Sequence, residues 1–176
     1  DGEAVAHWLN GAANGGEEVG GDIDVSSGNL QVGGYAQENW TENFNGDICE
    51  LLLFNRALTG QEVADVNAYL AEKWGIEPAS SSSSSASGSS ASSSSSSSSS
   101  GSGLPSGLVL RLDASTLALD DNDPVSSWPD GSGQDNDATQ STSGLKPVFL
   151  ETGGPGGRKT VEFDGSNDLL NVADAA

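Results

Sequence analysis

A strand that runs into a capped helix, between Phe44 and Gly75, constrains this chain more than any other stretch. Asn45-Gly46 is a turn pair, and Asp47 to Asn55 follows with Ile48, Cys49, Leu51, Leu52, Leu53 and Phe54 apolar. A half-buried strand alternates apolar and polar residues, so a run that is apolar on both faces predicts a strand covered on both sides. Thr59 and Glu62 then have the spacing of a capping box, and Leu58 and Val63 that of a hydrophobic staple. Val63, Val66, Leu70 and Trp74 recur at the helical period. Gly75 supplies the left-handed residue that ends a helix.

These residues carry a resemblance. Gly46-Asp47-Ile48 with Glu50, Arg56-Ala57-Leu58, Tyr69-Leu70 and Lys73-Trp74-Gly75 resemble the C-terminal signature of bacterial laminin-G-like domains. That family belongs to the concanavalin A-like lectin/glucanase superfamily. The resemblance implies a mainly β fold, an antiparallel jelly roll or β-sandwich, with one C-terminal α-helix, here at about 60–74. It implies a fold and not one ligand.

A serine tract divides the chain. Residues 80–102 hold 19 Ser, the rest being Ala and Gly. Such a run has no side chain to bury and cannot offset its ordering entropy. It reads as a disordered, flexible tether spanning about 25–30 Å. Polyserine linkers of this kind resemble those of secreted polysaccharide-degrading proteins. The expected organisation is therefore residues 1–78 as the C-terminal part of one module, 79–103 as linker, and 104–176 as the N-terminal part of a second module.

The second piece carries its own matches to the same family: Leu110-Arg111-Leu112-Asp113-Ala114-Ser115, Val125 with Trp128 and Asp130, Ser132-Gly133 with Asn136-Asp137-Ala138-Thr139, and Phe163-Asp164-Gly165 with Asp168 and Leu170. Leu108, Leu110 and Leu112 alternate along a strand. Val148-Phe149, Thr160 to Phe163 and Leu169 to Val172 read as further strands. The middle strands of the implied sandwich are missing from both pieces, so the jelly roll is expected to be incomplete and the chain a fragment of a longer polypeptide. The first and last strands of such a fold are neighbours, which lets Asp47–Asn55 pair with Leu108–Asp113 across the linker. Near the start, Asp1-Gly2 reads as a turn entering a strand from Glu3, and Asn10 to Ser27 reads as a long loop.

Charge narrows the partners. Residues 1–78 carry 14 acids against 2 bases, and residues 104–176 carry 12 against 4. Neither piece suits nucleic acid or an anionic membrane. No apolar run is long enough to span a bilayer, so no membrane insertion is expected. Cys49 is the one cysteine and reads as a buried small hydrophobe, and with His7 the one histidine, zinc is not supported.

Candidate ligand-binding side chains are Trp40 and Tyr35, since aromatic faces in loops of lectin-like folds stack on sugar rings. Calcium is the expected metal. It takes six to eight oxygen ligands, commonly from Asp-rich loops. Asp120-Asp121-Asn122-Asp123 form one candidate set, Asp130, Asp135 and Asp137 a second, and Asp164, Asn167 and Asp168 a third, with Asx turn chemistry the favoured alternative for any one loop. Catalysis is not expected. Glucanase chemistry needs paired carboxylates at alternate strand positions, typically Glu-x-Asp-x-Glu, and Asp22-Ile23-Asp24 is the nearest approach. The expected function is non-catalytic binding of a glycan or cell-surface polysaccharide, or adhesion, by a secreted or surface-attached bacterial multidomain protein. Other proteins are the second partner class, in a structural spacer of a large adhesin. A third reading is the accessory module of a glycoside hydrolase.

Overall fold

The structure, a computed structural model, describes residues 3–9, 12–19, 30–34, 43–76 and 103–172. The described residues are mainly β, with antiparallel pairing throughout and one α-helix. They group into two compact units, Asp1–Asp24 with Leu58–Pro105, and Val25–Ala57 with Ser106–Ala176. Tyr35, Trp40 and the serine tract lie outside the described residues.

In the first unit, β1 (Glu3–Leu9) pairs with β2 (Ala12–Val19), with Glu3 opposite Val19 and Leu9 opposite Ala12. This corrects the long loop expected from Asn10 onward. The run Ala12–Val19 is rich in Gly and Glu and has little strand propensity of its own. Its order comes from the ladder to β1. Asn10-Gly11, a strong hairpin dipeptide, was the signal for it.

The helix α1 spans Gly60–Trp74. It stands in mid-chain and not at the chain's C-terminus, because a further strand-rich segment follows it. The Thr59 hydroxyl accepts from the Glu62 N–H at 3.3 Å, and the Glu62 carboxylate accepts from the Thr59 N–H at 2.9 Å. Gly75 closes the helix at φ 65, ψ 34, its N–H donating to the Ala71 carbonyl. The Lys73 ammonium lies 5.0 Å from the Trp74 ring centroid, and Trp74 is buried. Thr59→Ala removes the side-chain acceptor of the Glu62 N–H. It is expected to cost about 1 kcal/mol, read as a lower melting temperature, and no change would mean that the cap is not formed in solution.

The second unit holds the core. Its strands are β3 (Leu30–Val32), β4 (Asn45–Ile48), β5 (Glu50–Phe54), β6 (Leu108–Asp113), β7 (Ser127–Trp128), β8 (Ala138–Thr139), β9 (Val148–Gly154), β10 (Arg158–Asp164) and β11 (Leu170–Val172). They form a sheet of order β4-β10-β9, a sheet of order β3-β11-β8-β7, and the pair β5-β6. Leu110, Leu112, Val125, Trp128, Phe149 and Phe163 are essentially inaccessible and make the centre of the core.

The single strand expected over Asp47–Asn55 is two strands. The chain breaks at Cys49, where β4 leaves β10 and β5 joins β6. The Cys49 carbonyl accepts from the Ala114 N–H at 2.9 Å, so the backbone at the break is paired outside both ladders. A run apolar on both faces is what a segment serving two sheets needs. The two-sided cover is incomplete, however, with Leu53 44% exposed. The pairing across the linker is present: β5 runs antiparallel to β6 with Glu50 opposite Asp113, Leu51 opposite Leu112 and Leu52 opposite Arg111.

Candidate functional site

The β5-β6 ladder sorts its side chains by parity. Leu110 and Leu112 go to the core, while Glu50, Arg111 and Asp113 meet on the other face. Arg111 Nε lies 3.0 Å from Glu50 Oε1, and an Arg111 Nη lies 3.3 Å from Asp113 Oδ2. The Glu50 side chain is 1% exposed and that of Asp113 6%, against 20% for Arg111. Asp113 Oδ1 also accepts from the Ser115 N–H and hydroxyl, at 2.9 and 2.6 Å, which starts the short 3₁₀ turn Ala114–Thr116. Two carboxylates thus share one guanidinium away from water. Charges so placed are costly unless each is paired. The cluster brings together Glu50, from before the serine tract, with Arg111 and Asp113, from after it. Glu50 looked like one polar residue in an apolar strand. Its role depends on register, which only the paired structure supplies.

The second and third sets of acids expected to bind calcium fall in two turns. Asp130 sits beside β6. Its Oδ1 accepts from the N–H groups of Arg111 and Ser132, both at 2.8 Å. Its Oδ2 accepts from the Ser132 hydroxyl at 2.6 Å and the Asn136 N–H at 3.1 Å. Asp137 Oδ1 accepts from the Asp130 N–H at 2.8 Å. Ser132 and Asn136 in turn donate to the Val109 carbonyl. The loop thereby satisfies the backbone of β6 along an edge that β5 does not cover, as an added strand would. Asp135 is exposed and holds a left-handed backbone at φ 59.

The second turn, Asp164 to Asp168, joins β10 to β11. Asp164 Oδ1 accepts from the Ser166 and Asn167 N–H groups at 2.8 and 3.2 Å, and Asp168 Oδ2 accepts from the Asp164 N–H at 3.0 Å. Gly165 takes φ 72 at its apex. Residues from before the tract rest on this turn. The side-chain amides of Asn43 and Asn45 donate to the Ser166 and Asp164 carbonyls. The Phe44 N–H donates to the Gly33 carbonyl at 2.7 Å. The chain positions flanking Tyr35 and Trp40 are therefore seated beside Asp164 and Asp168. Among the described residues, no three His, Cys, Asp or Glu side chains converge as a metal site.

The electrostatics separate these acids. Burial pushes the Asp130 carboxyl up, but the hydrogen bonds from Ser132, Arg111 and Asn136 outweigh it and hold the group below its ordinary range. The Ser166 N–H, with that of Asn167, likewise holds Asp164 low. Asp168 goes the other way, raised by burial and by the neighbouring Asp164 charge. A lowered carboxyl adds stability above its unfolded value and loses it as pH falls through the folded one. A raised carboxyl adds stability below its unfolded value and loses it as pH rises through the folded one. Asp130→Asn should therefore cost about 1.5–3 kcal/mol at neutral pH, since the introduced amide cannot accept at both atoms. Asp168→Asn keeps an acceptor for the Asp164 N–H and sheds a penalised charge, and should be neutral or stabilising at pH 7. Urea titrations at pH 7 and pH 4 check both, and equal losses from the two variants at pH 7 would refute the contrast.

Burial raises the Cys49 thiol pKa; the contact with Thr160 opposes it, and the charges of Asp47 and Glu50 add to it, leaving the opposite of an activated nucleophile. No helix among the described residues is long and apolar enough to cross a membrane. No family model, curated protein or solved structure matches the chain.

Proposed function

We propose that this chain is a non-catalytic glycan-binding or adhesion module of a secreted or surface-attached bacterial multidomain protein, built as an incomplete jelly roll of the concanavalin A-like class. The observation that carries the reading is the seating of residues 33, 34, 43 and 44 on the Asp164–Asp168 turn. It puts both ends of the segment bearing Tyr35 and Trp40 at one corner of the β unit, beside acidic residues. Lectin-like folds use such loop corners for sugar. The sealed Glu50–Arg111–Asp113 cluster supports a non-catalytic role, because a general acid or base must reach its substrate. Calcium belongs to the same reading, held through Asp164 and Asp168. At Asp164 and Asp168, as at Asp130 and Asp137, an ion would have to compete with main-chain N–H donors.

The test is a glycan array and polysaccharide pull-down with the full chain, run in calcium and again in chelator, beside Trp40→Ala. Binding that falls at least about tenfold in the variant, equivalent to ~1.4 kcal/mol, is the expected result. Dependence on calcium would assign the acidic turn to the site. Absence of any glycan binding would defeat the sugar reading and leave the adhesin spacer.

A further inference from the structure

Every ladder made by the described residues between 30 and 54 crosses the serine tract. β3 pairs with β11, β4 with β10, and β5 with β6. None of β3, β4 and β5 pairs with another of the three. The same holds beyond the ladders: the Asn55 N–H donates to the Gly107 carbonyl at 2.9 Å, and Arg56 Nε to the Ser106 carbonyl at 3.1 Å. The described part of this segment is thus three strands whose ladder partners all lie after the tract. Between them and those partners runs the chain from Leu58 to Pro105, including 23 residues, 80–102, made of Ser, Ala and Gly alone. Nothing in that composition dictates which copy of the partner strands is met. Exchange of an identical element between copies makes every native contact again and sacrifices none, which makes it a low-cost route to association.

We infer that β3, β4 and β5 form an exchangeable three-strand insert, accepted at β11, β10 and β6 of a second copy of this chain. In the exchanged pair, Glu50 of one copy meets Arg111 and Asp113 of the other. The buried cluster is then completed between copies. A covalent tether holds its own insert at an effective concentration of about a millimolar. Closed single chains dominate well below that value, and exchange competes as chain concentration approaches it.

The structure offers a reporter. Cys49 is the one cysteine, and a Cβ built on Gly154 lies 2.9 Å from its sulfur. That is close to the distance from one Cβ to the far sulfur in a disulfide, about 3 Å. Gly154→Cys in the intact chain should close an internal disulfide between insert and acceptor on air oxidation. For exchange, the wild-type chain is mixed, unfolded, with a size-tagged chain carrying Cys49→Ser and Gly154→Cys. The mixture is refolded at about 10 µM and near about 1 mM, oxidised with oxidised glutathione, and resolved without reductant. Each chain then holds one thiol, and the two thiols meet only if the insert of one copy sits in the other. The expected result is a mixed, disulfide-linked dimer that is a trace at the low concentration and rises at least about tenfold in share at the high one. Closure of the internal disulfide without any mixed dimer overturns exchange. Failure of the internal disulfide to close overturns the strand pairing on which exchange depends.

Discussion

Arg111→Met is expected to lower the stability of the chain by about 3–5 kcal/mol. The guanidinium is the cation that both Glu50 and Asp113 contact, at 3.0 and 3.3 Å, and the two carboxylates are almost fully covered. Removing it leaves two buried anions directly opposite each other in the β5-β6 register. Methionine fills much of the arginine stem's volume, so the loss reports charge more than packing. Combining Arg111→Met with Glu50→Gln and Asp113→Asn should recover a large part of it, because a buried ion cluster replaced as a whole costs far less than one broken in half. Urea unfolding followed by tryptophan fluorescence measures both variants. A loss under about 1 kcal/mol would place the cluster in the class of exposed pairs and would remove the buried contact across the serine tract.

Gly33→Ala is expected to cost about 2–5 kcal/mol, from a left-handed backbone and overpacking. Gly33 has φ +92, and a Cβ there would lie 2.2 Å from the ring of Phe163. That ring is fully buried and meets Phe44 edge-on at a centroid distance of 6.1 Å, so it has little room to yield. Gly133→Ala is the control. It has a similar φ of +87 with nothing within 4 Å, and should show the backbone cost alone, about 1–2 kcal/mol. Shrinking the ring as well, in Gly33→Ala with Phe163→Leu, should give a loss smaller than the sum of the two single changes. Equal losses for Gly33→Ala and Gly133→Ala, or simple additivity in the double variant, would mean that β3 does not pack on β10 in solution.

Local signals were legible where a few neighbouring residues decide the outcome. The Thr59-Glu62 box and Gly75 bracket α1 because caps act over three or four residues. The Leu108-Leu110-Leu112 alternation marks the core face of β6, and its partner β5 follows from the resemblance rather than from any pattern in β6 itself. Roles were less legible than elements. From the sequence, Asp130 and Asp164 read as Asx turn formers ahead of calcium ligands. In the structure their carboxylates serve as acceptors for main-chain N–H groups. Those donors become identifiable only once the loops lie against their strands.

What the amino-acid sequence determined by itself was the helix with its caps, the turns, the acidic balance and the stretch that cannot form a core. Each depends on propensity, period or composition. The tertiary structure decided the break at Cys49, the meeting of Glu50 with Arg111 and Asp113, and the seating of Gly33 on Phe163. These depend on which backbone groups find partners across long sequence separations. Hydrogen-bond pairing and exclusion of water settle that choice for the assembled chain, and no local window contains both partners.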